Sequence, residues 1–131
     1  MGYLNQSDKN PILVNGLKNG KKLKIVHQDP RVVGSKPVLR SVNQREGLEF
    51  TWSTWLFIDD LVYKNGQRKH IFHKGSSGNI GMKSKFNNIK VSDMAFPNNA
   101  PGLYLHETDN SLVVVMNTFN NVIEEVLIKD I

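Results

Sequence analysis

Residues 40–60 have the sequence RSVNQREGLEFTWSTWLFIDD, and the alternation within residues 48–58 decides the fold predicted for this chain. These eleven residues contain neither glycine nor proline. In an extended strand, one face carries Leu48, Phe50, Trp52, Thr54, Leu56 and Ile58, and the other carries Glu49, Thr51, Ser53, Trp55 and Phe57. A period of two in β-branched and aromatic residues predicts a long strand. Large apolar groups on both faces favour a central position in a sandwich.

Shorter alternating runs on both sides of this stretch predict further strands. They cover residues 12–14, 23–27, 38–42, 69–74, 88–91, 102–106, 112–117 and 122–128. Turns are predicted at residues 45–47, 108–110 and 120–121, and a long connecting loop at 75–101. The Asn65-Gly66 pair predicts a type I′ turn that pairs the long strand with residues 69–74. Short strands with frequent turns, and no convincing helix, predict an all-β sandwich or barrel.

Length and composition exclude several classes of protein. A chain of 131 residues predicts one modest core, preceded here by a polar, turn-rich segment at residues 1–22. The absence of cysteine excludes disulfides and thiolate metal sites, and no apolar run is long enough to span a bilayer. The net charge is +5, and the basic cluster within residues 18–24 is typical of a solvated loop. Nucleic-acid binding is disfavoured because the basic residues are not interleaved with aromatic ones.

Histidines and carboxylates are the candidates for a metal or catalytic site, and their spacing argues against both. His70 and His73 are three residues apart on a predicted strand, so they face opposite ways unless that strand is broken. Adjacent acidic pairs such as Glu124-Glu125 are split across a sheet. Glu107 and Asp109 have the spacing to share a face, but a turn signal there favours a solvated turn. The sequence therefore predicts no catalytic residues, no metal and no cofactor.

Aromatic and polar side chains that share a strand face are the candidate ligand contacts. Trp55 lies on the face that carries Ser53 and Thr51, which suits a partly open platform for a sugar ring, although burial in the core is the favoured interpretation. Tyr104 and His106 share a face on a later strand, and Asn117 ends the strand after it. The candidate ligand-binding residues are Trp55, Tyr104, His106 and Asn117.

Four segments together resemble a known group of domains. They are QDP at 28–30, SKPVLRSVNQREGLEFTWSTWLFIDD at 35–60, KHIFHKG at 69–75 and FPNNAPGLYLHETDNSLVVVMNTFNN at 96–121. This pattern resembles the concanavalin A-like, laminin G-like jelly-roll domains of large algal DNA viruses and related marine sequences. The resemblance runs from residue 23 to residue 131 and implies an antiparallel β-sandwich over that range. In such domains the last strand found here is followed by a Pro-x-x-x-Trp strand and a further hairpin, so we expect a sandwich that is incomplete at its C-terminus.

The resemblance implies a binding or structural role, because members of this group include lectins, glycosidases and adhesion modules. We expect a non-catalytic binding module of the lectin type, which recognises a glycan or a surface partner. The alternative is a structural, virion-associated protein that packs against its partners. A glycosidase is disfavoured because the family's Glu-x-Asp and second Glu set is not found. Missing strands would leave unpaired sheet edges for another protein chain. If the viral resemblance holds, the protein is associated with the virion or the host cell.

Overall fold

The computed structural model describes residues 8–45, 47–76, 80, 83 and 85–131, and within them it contains eight β-strands and no helix. The strands are β1 Asn43–Gln44, β2 Gly47–Leu48, β3 Lys69–His73, β4 Lys85–Phe86, β5 Ile89–Lys90, β6 Gly102–Leu105, β7 Ser111–Met116 and β8 Glu124–Lys129. All of their ladders are antiparallel, so the predicted all-β class is confirmed. None of the described residues belongs to a helix that is able to cross a membrane.

Contacts between Cα atoms divide the chain into two compact units, Met1–Trp55 and Leu56–Ile131. The domain limits predicted from the sequence, 1–22 and 23–131, stay a prediction. The second unit holds a four-stranded sheet in the order β3-β6-β7-β8. The turns that link β6 to β7 and β7 to β8 lie at the two positions predicted for them. Five strands of the second unit, β3 and β5 to β8, were predicted within a few residues of their observed limits.

The core of the second unit lies on one face of this sheet. Its buried side chains are Tyr104 of β6, Val113 and Val115 of β7, and Val91 and Met94. Phe96 and Ile123 pack against them. Val91 and Met94 come from the stretch predicted as a connecting loop, which also contains the β4–β5 hairpin. The loop prediction is therefore wrong in part, because this segment covers the sheet and supplies its second layer of side chains.

The opposite face of the same sheet is also apolar. Its residues include Leu103 and Leu105 of β6, Leu112, Val114 and Met116 of β7, and Val126 and Ile128 of β8. The β6 and β7 members are half-buried, and the two from β8 are exposed. A sheet with apolar side chains on both faces is typical of an inner layer, whereas a sheet that meets water on one side alternates between apolar and polar residues.

A β-bulge interrupts the pairing of β3 with β6. His70 lies opposite Tyr104 and Phe72 lies opposite Leu103, so Ile71 is the extra residue. The strand at residues 69–74 was predicted, but its partner is β6 and not residues 48–58. The turn before it also differs from type I′, because positive φ angles occur at Lys64 and Gly66.

The first unit contains less regular structure than the sequence predicts. Asn43–Gln44 and Gly47–Leu48 form a short hairpin about the predicted turn at 45–47, of which Glu46 lies outside the described residues. The predicted strand at 38–42 is reduced to a parallel bridge between Val38 and Asp8. The other strands predicted before residue 42, at 12–14 and 23–27, are not formed.

Residues 49–58 lie outside the strands, so the long strand predicted from their alternation is not present as a paired element. Alternation identifies side chains that would share a face, but it does not supply the neighbouring strand whose backbone completes the ladder. Strands β6, β7 and β8 form because each has a partner only a short turn away. No described strand pairs with residues 49–58.

Candidate functional site

A polar cleft of about 390 Å³ lies within the second unit and is the candidate functional site. We call it the Arg68 cleft. Its lining residues come from the start of β3, the β5 strand, the end of β6 and the start of β8; they are Arg68, Ile89, Lys90, Ser92, Glu107, Ile123, Glu124 and Glu125. Five of these eight side chains are charged, and two isoleucines provide the apolar surface.

Arg68 is held between two carboxylates. Its Nη1 donates to Glu125 Oε1 at 2.6 Å, and its Nε lies 3.5 Å from Glu107 Oε1. The Arg68 side chain is only 12% exposed and that of Glu107 is 18% exposed. Pairing offsets part of the cost of burying these charges, and removal of one partner leaves an uncompensated charge. Within the part of the chain that the structure describes, the buried Arg68 Nε makes no hydrogen bond, so its contact with Glu107 is an ion pair only. The three side chains therefore form a fixed ionic cluster.

The electrostatics of this cluster keep Arg68 and Glu107 charged at neutral pH. Burial opposes the charge of Arg68, but Glu125 and Glu107 outweigh it and raise the pKa of the guanidinium. Burial would likewise raise the pKa of Glu107. A backbone hydrogen bond and the charges of Arg68, His106 and Lys90 have the larger effect, so the pKa of Glu107 lies below its ordinary value. The interpretation of Glu107 as part of a solvated turn is therefore wrong, although Asp109 is exposed as predicted.

His106, one of the predicted ligand-binding residues, lies beside the Arg68 cleft. Its Nε2 is 3.4 Å from Glu107 Oε2. Its Nδ1 accepts a hydrogen bond from the backbone N–H of Asp109 at 3.2 Å. The imidazole is thus oriented by the turn after β6, and it contacts a carboxylate that lines the cleft.

Tyr104 and Asn117 belong to a buried network that we call the Asn99 clasp. The Tyr104 hydroxyl donates to Asn99 Oδ1 at 2.5 Å and accepts from the Ala95 N–H at 3.0 Å. Asn117 Oδ1 accepts from the Asn99 N–H, and Asn117 Nδ2 donates to the carbonyls of Pro97 and Val122. Tyr104 is 0% exposed, so its ring offers no accessible surface to a ligand in this structure. Both side chains hold the segment that covers the core.

Trp55 belongs to the first unit, whereas the other three predicted ligand contacts belong to the second. Its side chain is 101% exposed. The favoured interpretation, burial in the core, is therefore wrong, and the alternative of an exposed aromatic surface fits its position. Whether any of the four residues contacts a ligand stays a prediction.

The bulge in β3 brings together two histidines that the sequence placed on opposite faces. His70 Nε2 and His73 Nδ1 are 2.7 Å apart, so one ring donates a hydrogen bond to the other. The extra residue, Ile71, reverses the alternation after His70, so His70 and His73 lie on the same face. The sequence allowed the two histidines to meet only if their strand was broken in this way. Burial, followed by the charge of His73, lowers the pKa of His70 to about 4, and burial also lowers the pKa of His73.

Sequence reasoning missed most of the Arg68 cleft. Arg68 is a single basic residue before a strand, with no local pattern that marks it as buried. Glu124 and Glu125 pair with Met116 and Val115, so they do alternate across the sheet as predicted. Both nevertheless line the cleft.

A scan against protein-family models, a search of curated proteins and a search of solved structures each return no match. The resemblance to concanavalin A-like domains therefore stays a prediction.

Proposed function

We propose that this protein is a non-catalytic binding module that recognises a glycan through the Arg68 cleft. The observation that carries the proposal is the fixed ionic cluster in a cleft with an apolar patch. A guanidinium donates hydrogen bonds to sugar hydroxyls, and a carboxylate accepts hydrogen bonds from them. Such charge-assisted hydrogen bonds are stronger than those between neutral groups. Ile89 and Ile123 offer apolar contact to the C–H groups of a sugar ring. Because Arg68 is already held by Glu107 and Glu125, the site requires little ordering when a ligand binds.

The protonation of the cleft favours binding over glycoside hydrolysis. Glu107 and Glu125 contact one guanidinium, so their carboxylates lie within about 10 Å, which is the spacing range of glycosidase pairs. A glycosidase also needs one carboxylic acid whose pKa is raised, so that it can protonate the leaving group. The pKa of Glu107 is instead lowered, and Arg68 occupies the space between the pair. This supports a binding role.

The finer fold that goes with this proposal is a β-sandwich of the jelly-roll type. Its support is the four-stranded antiparallel sheet with apolar side chains on both faces. Two packed layers are the usual way to bury a sheet with two apolar faces.

We expect one class of glycan to raise the melting temperature of the purified chain. A ligand at one hundred times its dissociation constant adds about 2.7 kcal/mol to the free energy of unfolding. The K90Q and E124Q variants, which each remove a charge from the cleft, should lose this shift. The matched control is K85Q, because Lys85 lies opposite Lys90 in the β4–β5 ladder and does not line the cleft. The proposal fails if no glycan shifts the wild type, or if K90Q and E124Q respond as K85Q does.

A second candidate function, a structural role through self-assembly, is supported by β8. This strand forms one edge of the four-stranded sheet, and all six of its residues are exposed. An edge with exposed Val126, Leu127 and Ile128 is a template for strand addition. We propose a second copy of β8 as the partner. Antiparallel pairing centred on Leu127 places Glu125 opposite Lys129 and Val126 opposite Ile128, so charges and apolar groups are self-complementary.

If β8 pairs with itself, light scattering should show a dimer whose fraction rises with protein concentration. The L127K variant should be monomeric, since two ammonium groups would then face each other at the two-fold axis. V62K is the control, because Val62 is an exposed apolar residue outside β8 and its replacement adds the same charge. A wild type that stays monomeric at high concentration, or an L127K variant that dimerises like V62K, contradicts this assembly.

A further inference from the structure

The His70–His73 pair carries an inference that is independent of the Arg68 cleft. We propose that these two imidazoles form a binding site for a late first-row divalent cation, with Cu²⁺ bound more tightly than Zn²⁺. The site has two protein ligands and leaves its remaining coordination positions to water or to a bound partner. Two facing ring nitrogens, on one short stretch of strand, are the geometry that carries this proposal.

The distance between the nitrogens suits a shared metal after a small movement. Metal–nitrogen bonds of 2.0–2.1 Å put two ligand nitrogens about 3.3 Å apart in a tetrahedral site, and about 2.9 Å apart at the 90° angle of a tetragonal Cu²⁺ site. The observed separation between His70 Nε2 and His73 Nδ1 is 2.7 Å, so the two nitrogens need to part by about 0.2 Å for tetragonal Cu²⁺ and about 0.6 Å for a tetrahedral ion, with a turn of the rings that points both lone pairs at the metal. The ring planes are inclined at 67° with centroids 4.9 Å apart, so the rings meet edge-on and do not stack.

The surrounding structure holds both rings in place. His70 makes an edge contact with the buried Tyr104 ring, at 5.6 Å between centroids, and lies opposite Tyr104 in the ladder. His73 ends β3 opposite Gly102, and the backbone of Ser76 and Gly75 hydrogen-bonds its ring. Ligands carried on a strand and anchored by the core are fixed more precisely than ligands on a loop.

The donor set selects the class of metal. Imidazole suits copper, zinc and nickel, whereas calcium and magnesium require oxygen ligands. Among the described residues, no third histidine, cysteine or carboxylate completes a metal-binding group. With nitrogen donors alone, affinity should follow the general order of divalent metals, in which Cu²⁺ exceeds Zn²⁺.

Equilibrium dialysis of the untagged chain against CuCl₂ and ZnCl₂ tests this site. We expect one Cu²⁺ per chain in the wild type, with Zn²⁺ bound more weakly, and at least a tenfold loss of affinity in both H70Q and H73Q. The matched control is H27Q, which removes an exposed histidine in the first unit and should bind as the wild type does. Far-UV circular dichroism establishes that each variant is folded.

The Cu²⁺-loaded wild type provides a second test of the site that does not depend on whether the variants fold. The electron paramagnetic resonance spectrum of the Cu²⁺-loaded chain should show coupling to two imidazole nitrogens. Coupling to fewer than two, less than one bound Cu²⁺ per chain, or equal binding by H70Q, H73Q and H27Q would overturn the site and leave the pair as a hydrogen bond only.

Discussion

Replacement of Gly102 by alanine is expected to lower the free energy of unfolding by about 3 kcal/mol, because the added methyl group has no space. Gly102 is buried in β6. A Cβ atom there would overlap Asn99 Oδ1 and would lie 2.8 Å from the Tyr104 ring. Neither neighbour can easily move, since Asn99 and Tyr104 are both fully buried. Moving the Asn99 amide would also break its hydrogen bond with the Tyr104 hydroxyl.

Urea denaturation of the wild type and of G102A measures this loss. G20A is the matched control, because an added Cβ at Gly20 meets nothing within 4 Å. We expect G20A to differ from the wild type by no more than about 0.5 kcal/mol, as most surface substitutions do. Equal midpoints for G102A and G20A would show that Gly102 is not packed against the Asn99 clasp.

Replacement of Tyr104 by phenylalanine is expected to cost about 3 kcal/mol, although the two side chains differ only in one hydroxyl group. That hydroxyl serves as donor to Asn99 Oδ1 and as acceptor for the Ala95 N–H. Both partners are buried, so the variant leaves two polar groups without hydrogen bonds or water. An unsatisfied buried group costs about 1–3 kcal/mol, which sets the expected size of the loss.

The wild type and Y104F should also differ in how their free energies of unfolding change at alkaline pH. Burial raises the pKa of Tyr104 to about 12 from an ordinary value of 10.0, against the smaller opposing effects of the Ala95 hydrogen bond and Arg68. The unfolded chain therefore releases this proton at a lower pH than the folded chain. The contribution of this group to the free energy of unfolding is fully present below pH 10 and falls between pH 10 and pH 12 by about 3 kcal/mol, since each pKa unit corresponds to about 1.4 kcal/mol.

Denaturation of the wild type and of Y104F at a series of pH values from 8 to 12 isolates the titration of Tyr104, because both proteins have the same lysines. The stability difference between wild type and Y104F should be largest below pH 10 and should narrow above it. A constant difference across the series would show that Tyr104 titrates alike in the folded and unfolded chains.

The sequence predicts the second unit better than the first for a physical reason. Strands β6, β7 and β8 each pair with a neighbour across a short turn, so local alternation and turn residues are sufficient to define them. Residues 49–58 have a stronger alternation, but β3, which was predicted to pair with them, pairs with β6, and no described strand is their partner. Alternation contains no information about such a partner.

The candidate sites depend on features that a linear pattern does not encode. The single extra residue at Ile71 reverses the face on which His73 lies, and nothing at that position marks a bulge. Arg68 and Glu125 are 57 residues apart and lie beside or within the two outer strands of the sheet, β3 and β8, so no local pattern indicates that they meet. Tyr104 was predicted on a strand, as observed, but the pattern did not indicate that its hydroxyl is hydrogen-bonded within the core.

The position of the Arg68 cleft has a consequence for how the protein fluctuates. Glu124 and Glu125 begin β8, which has a ladder neighbour on only one side. An outer strand has one ladder of hydrogen bonds to break and β7 has two, so we expect β8 to open before β7. Opening of β8 would separate Glu124 and Glu125 from the other residues that line the cleft. A molecule bound to these carboxylates would therefore stabilise the paired strand. Ligand binding in the cleft and opening of β8 would thus be linked equilibria, in which binding lowers the fraction of open strand.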